Sequence, residues 1–178
     1  MVIDLMVERI WAEARPIVLS WSDEASEIFV IDLPLTQVAP VLDTLSSRLI
    51  APSLLRLDGI NLARARALDP HVMQQIIRTS ARSTVHCLRG DVGEVGASCY
   101  FYLWTDAERQ RLEVEMVFWN DVCFPAGRPL ARHKWLLGQL LRVAEAVRGD
   151  NHQSKCILSR EYNAEPRELL SSARVAIW

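Results

Sequence analysis

A two-residue alternation constrains this chain more than any other feature, running through Ser98 to Trp104 and again through Leu112 to Trp119. Successive side chains of a strand point to opposite faces, so a period of two marks a strand with one buried side. Cys99, Phe101 and Leu103 fall on one face with Leu112, Val114, Met116 and Phe118. Tyr100, Tyr102 and Trp104 fall on the other, beside Glu113, Glu115 and Trp119. With Thr84 to Leu88 as a further strand, the segments predict a consecutive antiparallel meander with one core face and one face that is both aromatic and acidic. The glycines at 90, 93 and 96 read as a hairpin connection. Asp91 and Glu94 would repel phosphate there, and no Lys-Ser/Thr ending follows. A connection over 90–96 would set Cys87 nearly opposite Cys99 on the core face.

Helical spacing appears elsewhere. Ile3, Val7, Ile10 and Ala14 predict a first helix ended by Pro16, although an alternating reading of this segment stays open. Ile17 to Trp21 and Ile28 to Leu33 have the β-branched and aromatic content of strands. Thr36 to Ile50 predicts a helix closed at Pro52, and Asp69-Pro70 marks the start of another that runs to about Thr79. Leu54 to Leu68 is undecided apart from a turn at Asp58-Gly59. Trp135 to Val147 has a wide apolar stripe stopped by Gly149, with Leu140 at the centre of a helix laid across the sheet. Lys155 to Tyr162, Pro166 to Ser171 and Val175 to Trp178 read as strand, short helix and terminal strand. Strands grouped beside helices, without regular βαβ alternation, predict one α+β domain over 1–178: an antiparallel sheet with a central three-stranded meander and helices on one face.

Charge and composition exclude several functions. Twenty basic against twenty-two acidic residues leave no basic face to displace counterions, so dedicated nucleic-acid binding is not expected. The longest stretch free of charged residues, Val95 to Thr105, is far short of the ~20 apolar residues that span a membrane. Asp4 and Glu8 precede any basic residue, which does not fit a secretory leader, and a cytoplasmic location is expected. Cys87, Cys99, Cys123 and Cys156 form no CxxC pair and no metal-ligand spacing with histidine, so buried, reduced thiols are expected. Lys134 and Lys155 are the only lysines, an arginine skew that fits a GC-rich bacterial genome.

Candidate chemistry is sparse. Glu113 and Glu115 lie ~7 Å apart on one strand face, and with Asp121 they could hold a cation or serve acid–base work; the alternative is a solvated face. His71 and His133 fall near helix starts and read as surface or capping groups, and no histidine has zinc-protease spacing. His86 and Cys87 are strand neighbours pointing opposite ways, so the one cannot activate the other; Cys123 with His133 is the remaining thiol candidate. No nucleotide, hydrolase or kinase motif is present, and neither cofactor nor metal is expected.

Two readings of the acidic, aromatic face stay open: a contact surface for a partner, or a second core face beneath a helix. On the first, Tyr100, Tyr102, Trp104, Glu113, Glu115, Trp119 and Asp121 would bind a basic protein partner. The run from Leu112 to Asp121, followed by Phe124-Pro125 and a long helix, resembles the ending of small bacterial immunity proteins, which neutralise a cognate toxin by binding it in the cytoplasm. The resemblance covers that part of the chain alone and carries over no site residue. It implies a non-enzymatic, partner-specific role. The competing classes are a small hydrolase or transferase with an unmarked acidic site, and a structural subunit of a phage or secretion assembly.

Overall fold

The computed structural model describes residues 2–19, 25–160 and 176–178. Its centre is the expected meander: β4 (Thr84–Val92), β5 (Ser98–Asp106) and β6 (Arg111–Trp119), each antiparallel to the next. Around it lie β1 (Ala25–Pro34), β2 (Leu49–Leu57), β3 (Ile60–Ala67), β7 (Lys155–Arg160) and β8 (Ala176–Ile177). The eight strands run in the order β3-β2-β4-β5-β6-β1-β7-β8, and every pairing is antiparallel. The molecule is α+β.

The core residues of the meander pack with apolar side chains from α1 (Val2–Val18), α2 (Val38–Arg48), α3 (Pro70–Thr79) and α5 (Leu130–Arg148) in one continuous cluster. α5 lies against α1, α2, β1 and β7, with Leu140 fully buried. No helix among the described residues is long and apolar enough to cross a membrane.

α3 starts where Asp69-Pro70 placed it: the Asp69 carboxylate accepts from the Val72 N–H at 2.8 Å, a cap that stabilises by about 1 kcal/mol. The undecided stretch is the β2–β3 hairpin. Asp58 and Gly59 turn it with φ of 53° and 77°, the paired left-handed conformation of a type I′ turn.

Several boundaries differ from expectation. α1 continues through Pro16 to Val18, so Ile17 and Val18 are helical rather than strand; residues 20–24 lie outside the described set. The apolar stripe Val7, Ile10, Ala14, Ile17 and Val18 is buried throughout, and that burial outweighs the hydrogen bond lost at proline. The carbonyls of the last turn, which have no intrahelical partner, accept from Arg160 (at Pro16) and Asn120 (at Ile17). α2 ends at Arg48 and Pro52 sits inside β2, at the irregular register between Ile50 and Ser53 where a missing N–H is tolerated. α5 begins at Leu130, earlier than expected. The short helix expected over 166–171 falls outside the described residues.

The register of β4 is the largest correction. β4 extends to Val92 and pairs down to Asp91↔Ser98, so Gly90 lies opposite Cys99 and Cys87 lies opposite Tyr102. An odd shift of register exchanges the faces of a strand, so Cys87 leaves the core face for the other. At Gly90 the backbone meets Leu49, and an added Cβ would come within 2.9 Å of it.

Candidate functional site

Cross-strand pairing sets side chains side by side on the face away from the helices. One row runs Arg56, Cys87, Tyr102, Glu115, Phe29 and Ile157 from β2 to β7. The row on one side is Val85, Trp104 and Glu113; on the other it is Arg89, Tyr100, Val117, Glu27 and Ser159. Trp119 pairs with Ala25 beyond them. The expected set of Tyr100, Tyr102, Trp104, Glu113, Glu115 and Trp119 therefore shares one surface. Asp121 sits past the strand end, exposed in the single turn α4 (Asn120–Cys123), off these rows.

No helix among the described residues seals the outer part of this face. Trp104 is 45% exposed and Trp119 44%, whereas Tyr100, Tyr102, Glu113, Glu115 and Val117 are half-buried against one another. The Trp104 indole donates to the Glu115 carboxylate at 2.9 Å and its ring stacks on Tyr102 with centroids 6.2 Å apart. An indole so held loses little rotamer freedom on meeting a partner. Glu113 to Trp119 spans six residues of strand, so the indoles at the two ends stand ~20 Å apart.

The charge is less uniform than the alternation of β5 and β6 implied. Arg56 and Arg89 share the surface, on the far side of the tyrosines from Glu113 and Glu115. The sequence does not mark either arginine as part of this face, because β2 lacks a clear alternation and the β4 register depends on a non-local pairing; the Asp58-Gly59 turn is the one local signal for β2. The result is a surface with carboxylates on β6, guanidiniums ~10–15 Å away on β2 and β4, and tyrosines between.

Three thiols and one phenol, those of Cys87, Cys99, Cys156 and Tyr102, are held in the neutral form. Burial raises the Cys87 thiol, and burial followed by the neighbouring Cys87 pushes Tyr102 up to about 12. The thiols of Cys99 and Cys156 are also raised, Cys99 chiefly by its hydrogen bond with Cys123 and Cys156 to about 12 by burial. All four cysteines are free and buried. A neutral thiol is a poor nucleophile.

The histidines separate the same way. His86 points into the helical side, fully buried, where Nδ1 accepts from the Asp58 N–H at 3.2 Å. Nε2 therefore carries the proton and faces the Ser80 hydroxyl at 3.2 Å. Desolvation lowers its pKa to about 4 against the opposing pull of Asp58. His133, expected at the surface, is buried with Nε2 donating to the Pro125 carbonyl. His86 thus fastens the β2–β3 turn and the end of α3 to β4, on the face opposite Cys87.

No group of three or more His, Cys, Asp or Glu among the described residues could hold a metal ion. Comparison with known proteins finds no matching family model, no matching curated protein and no matching solved structure.

Proposed function

We propose that this protein works by binding: the open part of its sheet face docks a protein partner that brings basic groups to β6, and in doing so neutralises a cognate toxin or effector by direct stoichiometric association. The observation that carries the reading is the pair Trp104 and Trp119, each nearly half exposed, at the ends of the strand segment that presents Glu113 and Glu115. Large aromatic side chains left partly in water on a hydrogen-bonded sheet are the residue type that anchors protein interfaces. A span of ~20 Å between them suits an interface of ordinary size, which covers ~800 Å² on each partner. Carboxylates between the anchors would select a basic partner, and Arg89 would favour a neighbouring acid.

The test is capture with tagged protein from cells that carry its gene. Wild type should retain a stoichiometric partner that Trp119→Ala and the pair Glu113→Lys with Glu115→Lys both release, while Asp43→Lys on α2 retains it. A partner held equally by all these variants would contradict the reading. Four buried, free thiols support a reducing cytoplasm as the place of action.

A further inference from the structure

We propose that a recess at the start of α5, on the helical side of the sheet, binds a small carboxylate carrying a short apolar tail. The recess has a volume of about 370 Å³, within the ~300–1,000 Å³ range of ligand pockets. Arg128 and Arg132 line its mouth, while Leu136 and Cys123, both buried, and Val95 and Pro125 line the rest. Arg132 and Leu136 are four residues apart on α5 and so share a helix face, which brings an arginine and an apolar side chain to the same recess.

Three features favour an anion there. Neither Arg128 nor Arg132 has an ion-pair partner among the described residues. Arg132 is held in place by its position 4.0 Å from the centre of the Trp135 ring, so its fork is pre-oriented. Pro129 caps α5 without a side-chain oxygen to offer the first turn, and the positive end of a 19-residue helix adds to the same field. Guanidiniums recognise carboxylates through paired hydrogen bonds. The apolar floor selects among anions: inorganic phosphate gains nothing from it, whereas an alkyl tail is removed from water against Leu136 and Pro125.

Calorimetric titration of the full chain tests this, with hexanoate as probe, hexanamide as its neutral isostere and inorganic phosphate as an anion without a tail. Hexanoate should saturate at one per chain, and hexanamide should bind about tenfold more weakly or worse, the loss expected for a charge-assisted contact. Arg132→Gln should weaken hexanoate by a similar factor, as should Arg128→Gln; both side chains are exposed, so melting temperatures should stay near wild type. Val122 also lines the recess, so Val122→Trp keeps both arginines but fills it and should also abolish binding. The sheet-face pair Glu113→Lys with Glu115→Lys should bind hexanoate as wild type does, which separates failure here from failure of the docking reading. Equal affinity for hexanoate and hexanamide, indifference to the two arginine substitutions, or phosphate binding as tightly as hexanoate would each overturn the proposal.

Discussion

On one and the same face of the sheet, β1 and β7 bury Glu27, Phe29, Ile157 and Ser159, while β5 and β6 leave Trp104 and Trp119 nearly half exposed. The difference is written in the period of the strands. β1 holds an unbroken apolar run from Ile28 to Ile31 and β7 has Cys156 to Leu158, as strands covered on both sides do. β5 and β6 alternate strictly, as strands with one covered side do. A continuous run and an alternation therefore divide this surface into a packed half and an open half, and only the open half is available to a partner.

The substitution with the largest expected effect falls on the packed half. Phe29→Ala should cost about 3–5 kcal/mol in urea unfolding, the range for a buried aromatic. Trp104→Ala, on the same face, should cost about 1 kcal/mol or less because nearly half of the ring is already in water. Equal costs would erase the distinction between the halves. Leu140→Ala tests the helical side by the same method and should cost about 2–5 kcal/mol; a cost below about 1 would mean that α5 is peripheral.

A pH titration sharpens the contrast between the two faces. His86 has its folded pKa lowered from 6.5 to about 4, so folding favours the neutral form. Its contribution is fully present above pH 6.5 and is lost as pH falls towards 4, amounting to about 3 kcal/mol. The wild-type stability curve should drop through that window more steeply than that of His86→Gln, which can keep the same donor and acceptor. Parallel curves would place the histidine in water. The smallest effect concerns Cys87, which lies on the open side of the sheet yet is buried beside Tyr102. It should label slowly with a thiol reagent in the folded protein, and Tyr102→Phe should slow it a little further by removing a hydrogen bond to the thiolate. Rapid labelling of the wild type would show that the tyrosines do not shield the sheet.

The sequence made the meander legible because its alternation is long and both of its faces are chemically distinct. The α3 start and the Asp58-Gly59 turn were legible because cap and turn chemistry are local. What escaped was non-local. The β4 register depends on where a glycine-containing connection stops, and that choice moved Cys87 across the sheet. α1 passes Pro16 because of burial that only the assembled helices supply. Six of the candidate site residues share one surface, yet Arg56 and Arg89 are not legible as part of it, since they join it from β2 and β4, whose pairing is set by non-local contacts.

If the open half of the sheet face docks the partner, melting temperature and affinity for the captured partner should separate when wild type is compared with the double variant Glu113→Lys with Glu115→Lys. Like charges brought together across an interface cost several kcal/mol, whereas the fold loses chiefly the exposed hydrogen bond from the Trp104 indole to Glu115, worth about 1 kcal/mol. The double variant should melt within a few degrees of wild type and bind about a hundredfold more weakly or worse. Wild-type affinity in the folded double variant would place the interface elsewhere.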